Sequence, residues 1–481
     1  MDCLQALWVG LTRLSPLLAT LVVAGCATLT AAPTDATGGV ALPNAWSAAA
    51  SAPLRDVASL ADWWQRFDDP TLTALIVTAL AANTDVQSAQ AALRQSRALA
   101  DVQSAHLGPT LDASGSAQRS RSGGAPSTNS FRAGFDASWE PDIFGGNHSA
   151  SAASDLDAQA SAASLGDVQV SVAAEVALTY ITLRGSEARL AIAQSNLASQ
   201  QDTLQITQWR VQAGLATSLE SEQARASVEQ TRAQIPVLQT SISQARHQLA
   251  LLTGRSVAEL RVPEALALPQ MPPDLALSFP AETLRQRADV RAAELKVSAA
   301  AQRVVQADAA RYPSFNLGGS LGLSALTLSG LSGPGAVAGS ILAGVSIPIF
   351  DGGATKAQVR SQQAALDQAR MAHRAAVLTA LKDVEDTFVA LKGDRERLAT
   401  LNNAADAAGN AALLARQRYA SGLVDFQIVL ETQRSLLNAQ DGVAGVSADL
   451  AADHVRLYKA LGGGWQPDAA ATNLRSNTER S

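Results

Sequence analysis

The ten residues from Phe131 to Glu140, FRAGFDASWE, alternate between apolar and polar side chains without a break. An apolar side chain at every second position is the period of a β-strand whose two faces differ. About ten residues is also the length that a tilted strand needs to cross the hydrocarbon core of a membrane. The polar face bears Arg132, Asp136 and Glu140. These charges suit a water-filled interior, so the segment predicts a membrane strand with the three side chains lining a pore.

Three further segments show the same alternation, and Gly/Ser/Pro-rich turns join the four segments in pairs. The three segments begin at Leu111, Ser314 and Val337. Gly123-Gly124 lies in the turn between the first two strands, and Ser332-Gly333-Pro334-Gly335 in the turn between the last two. Four strands cannot close a barrel, for which about eight is the minimum, and a sheet in lipid cannot keep open edges. Several copies must therefore share one barrel, either two copies or, with room for passage, three. A soluble sheet with one buried face is the alternative.

The two halves of the chain repeat one order of parts. Asn83–Val86 matches Arg287–Val290 at an offset of 204 residues, and Gly214-Leu215 matches Gly422-Leu423 at an offset of 208. Each half is predicted to run helix, strand, strand, long helix, tight turn, helix. The predicted division is a signal peptide at 1–25, a lipidated arm at 26–61, a first repeat at 62–254, a proline-rich equatorial connector at 255–279, a second repeat at 280–464 and a C-terminal tail at 465–481. Within the repeats, hairpins are expected at 109–144 and 313–350, and long helices at 149–253 and 353–461.

The long helices carry an apolar rhythm of seven residues. In the first repeat this rhythm runs through Val176, Leu183, Leu190, Leu197 and Leu204. A sustained heptad keeps one seam toward neighbouring helices and imposes supercoiling. A helix from about 149 to 213 would rise on the order of 95 Å at 1.5 Å per residue. On these helices alone, an ordinary coiled-coil rod remains an alternative to a tunnel.

The N-terminus has the pattern of an exported lipoprotein. Arg13 precedes an apolar stretch from Leu14 to Ala24 that is too short for a permanent membrane helix, and small residues lead to Cys26. This pattern predicts acylation of Cys26 and anchoring in outer-membrane lipid, since Ala27 replaces the Asp that commonly marks retention in the inner membrane. A plain signal peptide with an incidental cysteine is the alternative. The mature chain would hold no other cysteine, which excludes an internal disulfide.

Composition and residue spacing exclude several other functions. The net charge is −6 and no dense Lys/Arg run occurs, so no nucleic-acid partner is predicted. Hydrophobic residues make up 47% of the chain but aromatic residues only 4%, a balance that suits closely packed helices. The five histidines show no ligand spacing, and His454 is expected to be solvated. The sequence predicts no metal site, no cofactor and no enzyme activity.

Five motifs, taken together, resemble the outer-membrane efflux protein family, the TolC/OprM-like channels, and in particular its lipoprotein branch attached to resistance–nodulation–division (RND) pumps. The motifs are WWQRFDDP at 63–70, ANTDV at 82–86, SWEPDIFG at 138–145, PIFDGG at 348–353 and RYASGL at 418–423. The resemblance implies an α+β membrane protein that forms a homotrimer. Its twelve-stranded β-barrel, with four strands from each chain, would continue into a long coiled-coil α-helical tunnel in the periplasm.

The same resemblance implies where the channel meets its partners. The helix–helix turns would form a periplasmic tip, where a periplasmic adaptor protein docks and the entrance opens, while an inner-membrane RND transporter drives export. The implied tip and docking residues are Gly214, Leu215, Glu220, Arg418, Tyr419, Gly422, Leu423 and Asp425. Relatives place acidic residues at the tip as a cation-selective gate. Asp425 is the nearest candidate here, one position beyond the usual place, which Val424 occupies.

The predicted function is therefore a passive duct that exports drugs or other small molecules across the outer membrane as part of a tripartite pump. Two alternatives remain. One is the same duct in a type I protein secretion system, and the other is a structural or adhesive coiled-coil lipoprotein.

Overall fold

The computed structural model describes residues 60–124, 126–263, 268–269 and 281–465. The α-helices are α1 (Pro70–Ala82), α2 (Thr84–Ala105), α3 (Gly146–Gln212), α4 (Ser218–Leu252), α5 (Ala288–Ala309), α6 (Ala354–Ala420) and α7 (Phe426–Ala460). The strands are β1 (Thr110–Ser120), β2 (Thr128–Trp139), β3 (Ser314–Ala325) and β4 (Val337–Ser346). Short 3-10 helices lie at Trp63–Phe67, Ala281–Gln286 and Ser329–Ser332. Among these described residues, no helix is both long enough and apolar enough to cross a membrane.

The order helix, strand, strand, long helix, shorter helix occurs twice, which confirms the predicted internal duplication. The long helices α3 and α6 each contain 67 residues, and α4 and α7 each contain 35. At 1.5 Å per residue, α3 and α6 each rise about 100 Å. The heptad positions Val176 and Leu183 on α3 and Val384 and Leu391 on α6 are buried. The seven-residue rhythm therefore marks the faces along which these helices pack.

The four strands form one antiparallel sheet in the order β1-β2-β3-β4. The middle pair joins the repeats, because β2 comes from the first and β3 from the second. Gly134 and Gly322 are paired there, and a Cβ atom placed on Gly134 would lie 2.8 Å from Gly322 Cα. Such a close approach of two backbones needs glycine at both positions. The outer strands β1 and β4 are the two edges of the sheet.

One apolar core lies beside the middle of α3 and draws on both repeats. The ring of Trp63 stacks on that of Tyr458 with centroids 5.2 Å apart, and Phe67 meets Tyr458 at an angle of 61°. Tyr180 of α3 donates a hydrogen bond to Asp69 at 2.8 Å, beside the N-terminus of α1. Truncating a buried Trp or Phe to Ala typically costs about 3–5 kcal/mol. This core therefore fixes the start of the first repeat against α7 of the second.

Several predictions differ from the structure. β2 ends at Trp139, so Glu140 lies just outside the strand in which it was predicted. The first long helix begins at Gly146 rather than 149, because the Asp142 carboxylate accepts the His148 backbone N–H and orders the first turn. His454 is buried, not solvated, because the apolar core includes its α7 neighbours. Burial, together with the charge of Arg395, lowers the pKa of His454 to about 4.

Some predictions lie outside the described residues. They concern acylation of Cys26, the signal peptide, most of the N-terminal arm and the C-terminal tail after Trp465. In the connector, residues 255–263, 268 and 269 are described and belong to no helix or strand.

Candidate pore and helix tips

One face of the sheet carries a polar row that runs across all four strands. The register places Asp112 opposite Asp136, Asp136 opposite Ser320, and Ser320 opposite Ser340. The Ser114 hydroxyl donates to the Asp136 carboxylate at 2.7 Å. Two carboxylates that face each other on one side of a sheet repel unless water or cations screen them. The row therefore suits an aqueous lumen rather than a dry interior.

Two of the three predicted pore residues lie on this polar face. Asp136 pairs with Asp112, and Arg132 pairs with Ser116 nearer the hairpin turn. Glu140 follows β2 and is exposed where the sheet meets α3. Asp112 was not among the predicted pore residues. Its position opposite Asp136 depends on the hairpin register, which the alternation of the two strands leaves open.

The other face of the sheet is apolar and exposed. Leu111, Phe135, Leu321 and Ile341 lie on it, and Ile341 is 87% exposed. A soluble monomer rarely leaves so large a contiguous apolar surface in water. A sheet that is apolar on one face and polar on the other is the arrangement of a transmembrane barrel, with lipid outside and water inside.

Two matching turns reverse the chain at the far ends of the long helices. The Leu215 N–H donates to the Arg210 carbonyl at 2.7 Å, and the Leu423 N–H donates to the Arg418 carbonyl at 2.8 Å. Gly214 and Gly422 adopt φ values of 68° and 74°. This left-handed backbone closes a helix by the Schellman pattern and favours glycine, because a side chain would be strained there. The predicted tight turns are thus built alike in both repeats.

Tyr419 connects the two turns. The Arg210 guanidinium donates to the Tyr419 carbonyl at 2.6 Å and lies 4.3 Å from the centroid of its ring. The Tyr419 hydroxyl donates to the Glu220 carboxylate at 3.4 Å, and Phe426 packs on the ring with centroids 5.3 Å apart. Burial raises the pKa of Tyr419, and the charge of Glu220 raises it further. The hydroxyl therefore stays protonated and available as a donor.

The side chains of Leu215, Leu423 and Arg418 are exposed on the turns. Leu215 and Leu423 present apolar side chains to solvent. Arg418 acts on the fold through its carbonyl, which closes the second turn, while its guanidinium points to solvent.

Asp425 is the N-cap residue of α7 and corresponds to Thr217, 208 positions earlier, at the N-cap of α4. The Thr217 hydroxyl accepts the Glu220 N–H at 3.4 Å. In the described part of the chain, the exposed Asp425 carboxylate makes no equivalent capping bond. The predicted gate residue thus has a carboxylate that is not committed to capping its own helix.

A polar seam joins α3 to α7 above the turns. Its α3 members recur every seven residues and lead to Arg210, which was not predicted as a tip residue. Each forms a side-chain hydrogen bond with α7: Arg189 with Asp441 at 2.6 Å, Asn196 with Gln440 at 2.9 Å and Thr203 with Gln433 at 2.9 Å. The sequence does contain a pattern that indicates this seam: polar residues recur every seven positions, each one position before a residue of the apolar heptad. Alone it also fits a solvated helix face, so the structure was needed to place it.

Comparison with known proteins agrees with this arrangement. The family described as "Outer membrane efflux protein" matches residues 75–255 and 279–463. The chain is 33% identical to the pyoverdine export outer membrane protein OpmQ of Pseudomonas putida over 452 residues, which cover 91% of this chain and 95% of that protein. It is 30% identical to the outer membrane protein OprJ of Pseudomonas aeruginosa, covering 94% and 95% of the two chains. The solved outer-membrane channel OprN superposes with a TM-score of 0.84 at 33% identity, covering 90% of this chain and 99% of that one.

The sheet with one wet and one apolar face, joined to paired long helices, defines a TolC-like outer-membrane channel with a barrel and a helical tunnel. The two matched segments cover most of the chain and coincide with its two repeats. The chain belongs to the outer membrane efflux protein family. It is located in the outer membrane, with its helical portion in the periplasm.

Proposed function

We propose that three copies of this chain form the outer-membrane duct of a tripartite RND-type efflux pump, through which small molecules leave passively. The duct would work with a periplasmic adaptor protein and an inner-membrane RND transporter, which supplies the energy. Support comes from the internal duplication, from the two faces of the sheet and from the geometry of the turns.

The observation that supports association of several copies is a difference in side-chain exposure between the two repeats. Three apolar positions on α6 are 59%, 48% and 66% exposed, whereas the positions 208 residues earlier on α3 are 3%, 5% and 1% exposed. The exposed set is Met371, Leu378 and Val389, and the buried set is Ala163, Val170 and Ile181. α5 and α7 of the second repeat cover α3. The equivalent cover for α6 would be α2 and α4 of a neighbouring copy, where Leu99, Val102 and Val237 are exposed.

The equivalence of the two repeats also predicts the register in which the edge strands β4 and β1 of neighbouring copies pair. Thr110 pairs with Ser138 and Ser314 with Ser346, so β1 precedes β3 by 204 residues and β2 precedes β4 by 208. Phe135 of β2 faces Leu321 of β3. The residue equivalent to Phe135 in β4 is Ala343, 208 positions later, and the residue equivalent to Leu321 in β1 is Ala117, 204 positions earlier. If the outer strands pair as the middle strands do, Ala343 lies opposite Ala117 of the next copy. Because β1 and β4 run in opposite directions, this closure continues the antiparallel order.

The number of copies follows from what the lumen must hold. Eight strands enclose an interior that side chains fill, whereas larger barrels leave a channel. Twelve strands, supplied by three copies, leave the charges of Asp112, Asp136 and Arg132 in water. A dimer would take them out of water, at a cost of several kcal/mol for each charge that is left unpaired.

The experiment is a disulfide cross-link between copies. Ala343→Cys combined with Ala117→Cys, oxidised in membranes, should give dimers and trimers on a non-reducing gel. The control pair, Ala343→Cys with Ala113→Cys, moves one cysteine by four residues, or about 13 Å at 3.3 Å per residue, and should remain monomeric. Each single variant gives the background from the other cysteines. Equal cross-linking by both pairs, or by neither, would contradict the proposed closure.

The type I secretion duct is the second candidate for the same assembly. The names of relatives, which include a toluene efflux pump component of Pseudomonas putida, favour export of small molecules. Purification of the full chain from cells should recover an adaptor with an RND transporter. Recovery of an ATP-driven secretion transporter instead would favour the second candidate. A structural or adhesive lipoprotein would form no conducting trimer in planar bilayers.

Acylation of Cys26 is part of this proposal and rests on the sequence pattern alone. A Cys26→Ser variant should lose its lipid anchor. Unaltered labelling by a palmitate probe would contradict acylation at this residue.

A further inference from the structure

The charges of the sheet are distributed unevenly along its strands. From 113 to 135, which covers most of the first hairpin, the chain has three arginines and no Asp or Glu. From Ser314 to Phe350, the whole second hairpin, it has no charged residue. The sheet's acidic residues, Asp112 and Asp136, lie near the strand ends that join the helices. The half of the sheet that ends in the hairpin turns is thus purely basic, in a chain whose net charge is −6.

The orientation of this basic half follows from the location of the helices. Thr110, Trp139, Ser314 and Ser346 are the strand ends next to the helices, which lie in the periplasm. The hairpin turns are at the opposite strand ends and so face the cell exterior. The arginines therefore lie at the level of the outer leaflet of the membrane.

The arginines do not all face the same way. Arg132 lies on the polar face with Asp136. Arg119 lies on the apolar face, the same face of β1 as Leu111, Ala113 and Ala117. Arg121 follows two positions later, just past the end of β1, and is exposed. The Arg119 guanidinium donates to the Ser127 hydroxyl at 3.5 Å. Within the described ranges, no carboxylate pairs with Arg119 or Arg121.

We propose that Arg119 and Arg121 form an outward-facing site for the phosphate groups of an anionic glycolipid in the outer leaflet. An arginine on the lipid-facing side of a strand is costly at the middle of the bilayer and tolerated near its surface. Arg119 is the penultimate residue of β1 and lies at that surface. A guanidinium binds phosphate through paired, charge-assisted hydrogen bonds. Two such groups without acidic neighbours complement a phosphate-bearing lipid headgroup.

The orientation of this site rests on the proposed barrel, but its failure would leave the duct intact. The test uses the purified full chain in detergent and diphosphoryl lipid A as the probe, with bound lipid counted by native mass spectrometry. The wild type should retain lipid A. Combined Arg119→Gln and Arg121→Gln should reduce the bound fraction at least roughly tenfold, the loss expected on removing two charge-assisted contacts.

Two further variants separate the site from general effects. Arg132→Gln removes a charge from the same half of the sheet but from the polar face, and should retain lipid A. Combined Arg119→Lys and Arg121→Lys keeps both charges and should retain at least part of the binding. Unchanged conductance of the combined Arg119 and Arg121 variants in planar bilayers would show that the channel itself is intact.

The choice of lipid tests the chemistry. Dephosphorylated lipid A should bind no better to the wild type than to the double Gln variant, and phosphatidylglycerol should bind more weakly than diphosphoryl lipid A. Equal binding of dephosphorylated lipid A would show that acyl chains alone are recognised and would overturn the proposal. Equal binding of phosphatidylglycerol would overturn the assignment to a glycolipid. An equal loss in Arg132→Gln would also overturn it, because the effect would then depend on total charge rather than on the outward face.

Discussion

Asn83 and Arg287 occupy the same position in the two repeats and make the same contact with different chemistry. Asn83 Nδ2 donates to the carbonyl of Leu252 at 3.0 Å, and an Arg287 guanidinium N–H donates to the carbonyl of Ala460 at 2.7 Å. Leu252 and Ala460 are the last residues of α4 and α7. In each repeat, therefore, the side chain at the N-terminus of one helix donates a hydrogen bond to the last carbonyl of another helix, which has no partner within its own helix. In this way the contact holds two helices of the same repeat together in each half of the chain.

Arg287 is expected to contribute more stability than Asn83. Arg287→Ala removes the bond to Ala460 and leaves Asp289 without its partner at 2.7 Å. Because the Asp289 side chain is 31% exposed, we expect a loss of about 2–3 kcal/mol, below the range for a fully buried pair. Asn83→Ala removes a helix N-cap and one buried bond, at about 1–2 kcal/mol. Thermal unfolding followed by circular dichroism should rank the variants in this order.

The matched control is Arg291→Ala, an exposed arginine on α5. Its unfolding temperature should stay close to that of the wild type. A loss in Arg291→Ala as large as in Arg287→Ala would show that total charge, rather than the tie to α7, determines the effect.

Asp289 should make stability depend on pH at the acidic end. Burial alone would raise the pKa of Asp289, but the hydrogen bond and charge of Arg287 outweigh it, so the pKa lies below the ordinary value of 3.8. A carboxyl whose pKa is lowered in the folded state stabilises it above the unfolded pKa, and this contribution is lost as the pH falls through the folded value. The difference in unfolding temperature between wild type and Asp289→Asn should thus be largest near neutral pH and shrink below about pH 4.

Asp167 provides a control of opposite sign. Burial raises the pKa of Asp167, and the charge of Asp289 raises it further. Its ionised form therefore opposes folding at neutral pH, and protonation relieves this as the pH falls. Asp167→Asn should raise the unfolding temperature at pH 7, and the gain should disappear as the pH falls through the raised pKa. A change of the unfolding temperature in the same direction in both variants at pH 7 would contradict the assigned causes.

Residue patterns in the sequence were sufficient to predict the strands and the long helices. The alternation of Leu111 to Gln118 and of Phe131 to Trp139 reflects one wet and one apolar face, a constraint that acts on every position of a strand. The heptad through Val176 and Leu183 reflects a seam that continues over many turns of helix. Such features are repeated along the chain, so single exceptions do not hide them.

The individual contacts could not be predicted in the same way. Asn83 and Arg287 were matched by the repeat offset, but the side chains differ and neither motif shows that each donates to a helix end. Arg210 was missed because its partner is the carbonyl of Tyr419, a group that every residue possesses. His454 was placed in solvent because its neighbours in sequence are charged, whereas its burial depends on the packing of the whole α7 helix.

Arg210 is expected to hold the turns of the two repeats together when the channel is closed. Arg210→Ala removes the bond to the Tyr419 carbonyl and the contact with its ring, while the weaker bond between Tyr419 and Glu220 remains. We expect more frequent opening and a raised ion leak in planar bilayers. Tyr419→Phe keeps both contacts with Arg210 and loses contacts of the hydroxyl alone, including the 3.4 Å bond to Glu220, so it should have a smaller effect. A larger leak in Tyr419→Phe than in Arg210→Ala would reverse the assigned roles.

Asp425 tests a different mechanism at the same place. Its exposed carboxylate would repel anions at a closed entrance, so Asp425→Ala should raise the leak of ions through the closed pore and reduce its preference for cations. Thr217→Ala is the matched control at the equivalent helix start, since it removes a cap without removing a charge. Unchanged conductance and selectivity in Asp425→Ala would reject the gate assignment.

The paired carboxylates of the polar face should determine which ions the barrel prefers. Asp136 faces Asp112, accepts a hydrogen bond from Ser114 and is exposed, so its charge remains available to the lumen. Asp136→Asn should lower the ratio of potassium to chloride permeability, measured from the reversal potential in a potassium chloride gradient, and adding Asp112→Asn should lower it further. Arg132→Gln on the same face should change the ratio in the opposite direction. The shifts should be clear at about 0.1 M salt, where charges act over roughly 10 Å, and should fade at about 1 M, where they act over roughly 3 Å. A ratio that does not change in Asp136→Asn at low salt would mean that this carboxylate does not face the conducting water, and the assignment of the polar face to the lumen would fail with it.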